Sequence, residues 1–300
     1  MDSAPGTGAS RVLFAGRTTL DVLYRLDRFP EEDTKVYASD MRAALGGPAT
    51  NAAITHSLLG GESLLLSAIG GGPWARPVRE LLEQHGIQSV DLAAGTSYET
   101  PLVTVLLNTP RATRTAVNPP LTQIVFPVLP PVWNPAWGEM PRMILTDGFH
   151  LEPMLGLLAA CHEAGAALCL DGGSWKPGTE ELAPLLTAAI CSERFALPGR
   201  NSDAEATLAW FAARGVPFIA VTRGAKPILA MDRGRQFEIE VEVIDAIDTL
   251  GAGDVLHGAF CHYFLQTNSF ESALRQAAHI ATLSCKELGV HSWAAGRQRQ

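Results

Sequence analysis

The second half of the chain alternates short apolar runs with segments of helical periodicity, and this rhythm restricts the folds available to it. The predicted elements from about residue 141 onward are strands at 143–146, 167–170, 190–192 and 218–221, and helices at 153–163, 180–188 and 203–214. Strands that alternate with helices form a parallel sheet covered on both faces. The sequence therefore predicts a three-layer α/β fold with a mostly parallel central sheet, in which ligands bind beyond the carboxyl ends of the strands.

Two segments of the first half, at about 17–45 and 96–120, break this rhythm. Both read as short strands outside the α/β core, so we expect them to form a small β-sheet that acts as a lid. The first ten residues carry no apolar pattern and are predicted to be a flexible tail. Residues 11–300 are then predicted to form one domain.

The overall composition excludes several classes of function. The chain has 300 residues and a formal net charge of −8, which argues against a general nucleic-acid binder because such proteins need a basic surface. No apolar run reaches the roughly 18 residues that span a membrane, and the N-terminus lacks the pattern of a signal peptide. The five cysteines are widely spaced, with no C-x-x-C pair, which favours reduced thiols. We expect a cytoplasmic protein whose partners are small molecules.

The most informative motif is Asp248-Thr-Leu-Gly-Ala-Gly-Asp254. A strand is predicted before it at 237–243, and an amphipathic helix after it, so Gly251 and Gly253 should lie in a turn that opens a helix. The first N–H groups of a helix lack intrahelical partners and, with the helix dipole, favour an anion. Asp254 beside such a site suggests a base that takes a proton from a hydroxyl during phosphoryl transfer. Alternatively, the turn is only a turn and Asp254 only a dipole partner.

A second glycine-containing motif, Gly46-Gly47-Pro48-Ala49-Thr50-Asn51, precedes another predicted helix. Gly47 would let the backbone approach a ligand closely. The amide of Asn51 both donates and accepts hydrogen bonds, which suits the paired hydroxyls of a sugar. The alternative is that Thr50 or Asn51 only caps the helix. Asp21, after the first strand, either accepts hydrogen bonds from two vicinal hydroxyls or is a solvated loop residue.

Further polar residues follow other predicted strands. Asp147 comes directly after the strand at 143–146, and we expect it to help read the hydroxyls of a sugar. The hydroxyl of Thr222 and the bare amide of Gly224 suit nucleotide phosphates, although a plain strand exit explains them equally well. Lys176, after the Gly-rich turn that follows residue 170, either approaches a phosphate or is solvated, and the second interpretation is favoured.

Taken together, these motifs resemble those of the ribokinase-like (PfkB) carbohydrate kinases. Asp248–Asp254 resembles their C-terminal signature, and Gly46-Gly47 followed by Asn51-Ala-Ala resembles their N-terminal one. The order of the motifs also agrees, and the resemblance covers residues 11–292. Within the family, the stretches 26–33 and 281–289 are most similar to ketohexokinases and sulfofructose kinases.

The resemblance implies roles for individual residues. Asp254 matches the catalytic base, and the positions that match the anion hole are Gly251, Ala252 and Gly253. The positions that match sugar-binding residues are Asp21, Gly47 and Asn51. The positions that match ATP-binding residues are Thr222 and Gly224, and the region of His279 and Gly289 matches the lining of the adenine pocket.

The resemblance also implies the use of ATP with Mg²⁺, and dimerisation through the β lid. Asp248 and Thr249 match a loop that binds a monovalent cation such as K⁺ in several relatives. One departure concerns Mg²⁺: where the family often has Asn-x-x-Glu, this chain has Ser192-Glu193-Arg194-Phe195. Either Glu193 substitutes in the magnesium network or Mg²⁺ is held differently.

Three functions remain open on the sequence alone. The first is an ATP-dependent kinase of a small carbohydrate, which the resemblance to ketohexokinases suggests could be a ketose. The second is a nucleoside kinase, and the polar residues of the 17–51 pocket modestly favour a sugar without a base. The third is a non-catalytic sugar or nucleotide sensor on the same fold, against which the presence of Asp254 and its glycines argues.

Overall fold

The computed structural model describes residues 11–108, 113–120 and 125–295. The predicted tail, residues 1–10, lies outside the described residues. The strands are β1 Arg11–Gly16, β2 Thr19–Leu26, β3 Asp40–Gly46, β4 Glu62–Ser67, β5 Gln88–Asp91, β6 Leu102–Asn108, β7 Thr113–Val117, β8 Met143–Thr146, β9 Ala167–Gly172, β10 Ala188–Ser192, β11 Phe218–Arg223, β12 Lys226–Asp232 and β13 Arg235–Ile239. The α-helices are α1 Pro48–Leu58, α2 Ala75–Gln84, α3 Leu151–Glu163, α4 Thr179–Leu182, α5 Ala204–Ala212, α6 Ala252–Thr267 and α7 Phe270–Ser284.

Nine of these strands form one large sheet in the order β13-β12-β11-β10-β9-β8-β1-β4-β5. The seven strands from β11 to β5 in this order are parallel, and β12 and β13 add an antiparallel edge. Helices cover both faces, so the prediction of a three-layer fold with a mostly parallel sheet is confirmed.

The two faces of the large sheet bury separate hydrophobic layers. Val12 and Phe14 of β1 pack in a layer with α1, α2, α6 and α7, whereas Leu13 and Ala15 pack with α3, α4 and α5. Side chains alternate between the faces of a strand, so a parallel strand buried on both sides is apolar throughout. Because these strands pair in parallel, their carboxyl ends lie at one edge of the sheet.

The remaining four strands form a small sheet in the order β3-β2-β6-β7. β2 pairs parallel with β6, and the other two pairings are antiparallel. Its strands lie almost entirely within the two segments that depart from the α/β rhythm. The inner face of the small sheet packs Leu23, Val105 and Leu107 against Leu250 and Leu288 of the main domain.

Two predicted elements differ from the structure. The helix predicted at 180–188 is a single α-helical turn followed by a 3₁₀ turn at Ala183–Leu185, because Pro184 has no N–H to continue the helix. The strand predicted at 237–243 ends at Ile239, where its pairing with β12 ends. The prediction also missed β12, which is joined to β13 by a two-residue turn with positive φ at Arg233 and Gly234.

Candidate active site

The first turn of α6 has the geometry predicted for the 248–254 motif. Gly251 caps the helix in the left-handed conformation, with φ of 68°. A Cβ at Gly251 would lie 2.7 Å from Cγ1 of Val290, whereas a Cβ at Gly253 would meet no heavy atom within 4 Å. The Ala252 amide makes only a long hydrogen bond, 3.4 Å, to the carbonyl of Thr249. The start of α6 therefore presents backbone donors next to Asp254.

These two glycines predict different effects of alanine. Gly251→Ala should lower the melting temperature, because a left-handed alanine costs about 1–2 kcal/mol and its methyl group would clash with Val290. Gly253→Ala should leave stability unchanged but lower turnover if open space at Gly253 receives the transferred group. Thermal denaturation and steady-state kinetics of both variants test this, and equal melting temperatures would contradict it.

Asn51, in the first turns of α1, joins the N-terminal motif to α6. Its Nδ2 donates a 2.7 Å hydrogen bond to Oδ2 of Asp254. Its Oδ1 is buried, and within the described residues it has no hydrogen-bond partner. Gly47 caps α1 with φ of 95°, where a Cβ would lie 2.2 Å from the carbonyl oxygen of Arg17. The two motifs thus form one site, which holds an acceptor oxygen without a protein donor.

Burial is the main cause that raises the pKa of Asp254 to about 7, and the charge of Asp171 acts in the same direction. The hydrogen bond from Asn51 and the proximity of His257 lower this pKa, but by less. A carboxylate with a pKa near neutrality is a much better proton acceptor than an ordinary aspartate. The site can therefore perform general base chemistry at neutral pH.

Asp147 is buried and receives three backbone N–H groups. Its Oδ2 accepts from Arg17 at 2.9 Å and from Ala49 at 3.1 Å, and its Oδ1 accepts from Phe149 at 2.9 Å. Burial raises its pKa to about 6, while these hydrogen bonds act in the opposite direction. The carboxylate ties the end of β1 to the start of α1. This gives Asp147 a structural task that the sequence did not reveal, and its contact with a sugar stays a prediction.

Asp21 lies on β2 and lines a cavity of about 300 Å³ between the small sheet and the segment 288–292. Burial raises its pKa, whereas the hydrogen bond from Thr19 lowers it. His291 lines the same cavity, and its Nε2 lies 3.2 Å from the carbonyl oxygen of Asn51. His291 therefore connects the cavity of Asp21 with the Asn51–Asp254 pair, a role that its position in the sequence did not indicate.

The strand exits predicted to bind a nucleotide lie at the same sheet edge. Thr222 is the next-to-last residue of β11 and donates through its hydroxyl to the carbonyl of Cys191 at 3.3 Å, and Gly224 has a φ of 63°. The Glu193 amide donates to the carbonyl of Thr222 at 2.8 Å, and Oε2 of Glu193 lies 3.8 Å from Nζ of Lys226. The structure thus brings Glu193 beside Thr222, on the exposed side of this edge.

A family comparison agrees with this geometry. The chain matches the family model described as pfkB family carbohydrate kinase over residues 9–294. This chain belongs to the PfkB family. It is therefore a carbohydrate kinase, a phosphotransferase with an alcohol group as acceptor.

The chain is similar to individual members of the PfkB family and to solved structures. It is 22% identical to a deoxyribokinase of Salmonella typhi over 288 residues, which is 92% of this chain and 93% of the relative. A nucleoside kinase of Methanothermobacter thermautotrophicus is 40% identical over 94 residues, 31% of this chain and 30% of the relative. The structure of Arabidopsis thaliana ribokinase complexed with ribose and ATP superposes with a TM-score of 0.71 at 19% identity, covering 94% of each chain.

The two residues predicted near adenine lie in different places in this PfkB family kinase. His279 is exposed on α7. Gly289 lines the same cavity as Asp21, and its amide donates to Oδ2 of Asp248 at 3.0 Å. The structure thus places Gly289 near Asp21, and its contact with adenine stays a prediction.

The predicted metal-binding residues are already engaged. Asp248 is buried, and its Oδ1 accepts from the Leu250 amide at 2.9 Å. The Thr249 hydroxyl accepts a 2.7 Å hydrogen bond from the guanidinium of Arg114 on β7. The positive charge of this guanidinium would repel a metal cation bound at Thr249. The described residues contain no group of three or more His, Cys, Asp or Glu that could hold a metal.

Lys176 is not the solvated residue that the sequence favoured. It is half-buried, and its Nζ lies 4.3 Å from the ring centroid of Phe149. The guanidinium of Arg17 lies 5.0 Å from the same ring. Burial lowers the pKa of Lys176, although the charges of Asp147 and Asp171 oppose this. The sequence did place Lys176 just after β9, whose carboxyl end lies at the same sheet edge. Its position in the sequence could not show the contact with Phe149.

Proposed function

We propose that this PfkB family kinase transfers the γ-phosphoryl group of ATP to a hydroxyl of a small carbohydrate, with Asp254 as the base. The observation that carries the proposal is the 2.7 Å hydrogen bond between Asn51 and Asp254. This hydrogen bond joins α1, which the family resemblance implies binds the acceptor, to the first turn of α6, which it implies binds the transferred phosphoryl group. A sensor without catalysis would have no use for a base with a pKa near 7 at that point.

The acceptor hydroxyl is proposed to donate to the unpartnered Oδ1 of Asn51 or to the carboxylate of Asp254. Asp254 takes the hydroxyl proton as the oxygen bonds to the γ-phosphorus and the bond to the β-phosphate oxygen breaks. Donors in the first turn of α6, at Gly251, Ala252 and Gly253, stabilise the charge on the transferred group. Thr222 and Gly224 are proposed to contact ATP.

When bound with ATP, Mg²⁺ would neutralise phosphate charge. Magnesium often binds through one or two carboxylates and substrate phosphates, and Glu193 beside Thr222 fits such a role. We do not include K⁺ in the proposal, because Arg114 already bonds the Thr249 hydroxyl.

Acceptor-dependent ADP release tests the proposal. Ketoses, aldoses, sugar phosphates, sugar acids and nucleosides would each be incubated with ATP and Mg²⁺, with mass spectrometry of the product. We expect ADP release together with a phosphorylated acceptor for one of these classes. Measurable binding of acceptors without ADP release from any of them would favour a sensor and contradict the proposal.

One observation favours the nucleoside alternative. The cavity of Asp21 is walled largely by apolar side chains: Leu23, Leu45, Leu107, Leu250, Leu288 and Val290. A free sugar presents hydroxyls on most sides, whereas a nucleoside also presents an apolar base that such a wall could cover. The acceptor panel separates a sugar kinase from a nucleoside kinase, since phosphorylation of nucleosides but of no free sugar would identify a nucleoside kinase.

A pH dependence follows from the proposed base. Because the raised pKa of Asp254 is about 7, the fraction of active carboxylate falls as the pH drops through 7. We expect kcat/KM to decrease about tenfold per pH unit well below that value. A profile flat between pH 5.5 and 8, measured with a saturating second substrate, would exclude Asp254 as the base.

We also propose a cytoplasmic homodimer formed through the small sheet. No helix in the part of the chain that the structure describes is long and apolar enough to cross a membrane. Met41 and Val117 are 58% and 57% exposed, and by strand alternation they lie on the outer face, opposite Arg42 and Val105. An apolar outer face suits a subunit interface.

Met41→Glu should therefore convert the dimer to a monomer, because it places a charge in the proposed apolar contact. Light scattering after size-exclusion chromatography measures the mass of each form. Met140→Glu, at a methionine on a different surface, is the matched control and should leave the mass unchanged. A wild-type monomer at all concentrations would refute the dimer.

A further inference from the structure

His257, one turn after Asp254 on α6, lies between two backbone carbonyl groups. Its Nδ1 is 2.7 Å from the carbonyl oxygen of Gly253, and its Nε2 is 3.1 Å from that of Ile190 on β10. A carbonyl oxygen only accepts hydrogen bonds. A neutral imidazole has one N–H and one lone pair, so it would direct its lone pair at one of these oxygens. Only the doubly protonated ring donates to both.

A buried carboxylate stands ready to balance the charge of that ring. Asp171, at the end of β9, is 6% exposed, and its Oδ2 makes no hydrogen bond within the described part of the chain. This atom lies 3.4 Å from Nδ1 of His257. A buried carboxylate without a donor is costly unless a cation pairs with it. A protonated His257 would balance the negative charge of Asp171, and Asp171 would balance the positive charge of the ring.

We propose that His257 is an imidazolium paired with Asp171, and that this buried ion pair positions the first turn of α6 and shields the base from the charge of Asp171. His257 is a positioning residue here, since it acts through the Gly253 carbonyl and through Asp254. The pair also connects α6 to β9 and β10, the strands beside the proposed nucleotide site.

The other groups around the pair are consistent with one positive charge. Asp254 on α6 and Asp147, directly after β8, are carboxyl groups that interact with each other and with Asp171. Cys191 on β10 and Cys261 on α6 are buried thiols whose pKa values are raised by burial, so they stay neutral. Burial lowers the pKa of Lys176, the cation on the β9 side, and the charges of Asp147 and Asp171 oppose this. Without the imidazolium, the charge of Asp171 would raise the pKa of Asp254 with no histidine charge to oppose it.

Nitrogen NMR of the ligand-free protein tests the ionisation directly. The ring signals of His257 are assigned as those absent from the His257→Gln spectrum. At neutral pH we expect both ring nitrogens to be protonated in the wild type, and one to lose its proton in Asp171→Asn. A wild-type ring with one bare nitrogen would overturn the proposal, whatever the assays of acceptor phosphorylation show.

The kinetic arm rests on the proposed function and uses a double mutant. His257→Gln leaves Asp171 unpaired, which should move the acid limb of the kcat profile up by about one pH unit. Adding Asp171→Asn should move it back, because both charges are then gone. His262→Gln, a buried histidine on the same helix, is the control and should not move it. If the double mutant is shifted as far as His257→Gln, the shielding role is wrong.

Discussion

Asp254→Asn is expected to lower kcat by about 10²- to 10⁴-fold, the usual contribution of a positioned base. The asparagine has nearly the same shape, and its carbonyl oxygen can still accept the hydrogen bond that Asn51 donates to Asp254. The substrates should therefore bind about as well as in the wild type. The loss should appear in kcat, with little change in the dissociation constants measured by calorimetry.

Asp245→Asn is the matched control for this variant, because Asp245 is an exposed aspartate in the segment before the same motif. It should retain wild-type turnover. The melting temperature of Asp254→Asn should not fall, since a carboxyl group with a raised pKa does not favour the folded state when ionised. Turnover near that of the wild type in Asp254→Asn would remove Asp254 from the mechanism.

The parts of the fold that the sequence predicted are those with local causes. The turn at Gly251 requires a left-handed residue, and a glycine between a polar segment and an amphipathic run is a strong signal for it. The parallel strands are apolar on both faces, and the short uninterrupted apolar runs between the predicted helices already indicated this. The resemblance implied that Asn51 and Asp254 belong to one site, although Gly46 ends a strand of the small sheet and Asp254 follows the edge strand β13 of the large sheet.

The parts that were missed depend on contacts far apart in sequence. Three backbone amides occupy Asp147, and two of them come from residues about 100 or more positions away. His257 looked like any residue of an amphipathic helix, because nothing local shows that Ile190 and Asp171 face its ring. These groups come together only at the edge of the folded sheet, so no periodic pattern in the sequence could predict their contacts.

Asn51→Asp is the second substitution with a large expected effect, because it places a carboxyl group where an amide now donates to Asp254 at 2.7 Å. Two carboxyl groups at that distance cannot both ionise easily and tend to share one proton. The variant should lose about 10²-fold or more of kcat at neutral pH. Part of the activity should return at higher pH, as the shared proton is removed.

An Asn→Asp exchange far from Asp254 tests whether the effect of Asn51→Asp depends on its position beside the base. Asn268→Asp changes an asparagine at the far end of α6, and it should leave both kcat and its acid limb unchanged. Asn51→Leu removes the donor without adding a charge, so the pKa of Asp254 should rise and kcat should return in part under alkaline conditions. If neither variant recovers while remaining folded, the amide acts on the acceptor and not on the ionisation of Asp254. Recovery of both variants at high pH would establish that the amide keeps the base ionised through the bond it donates.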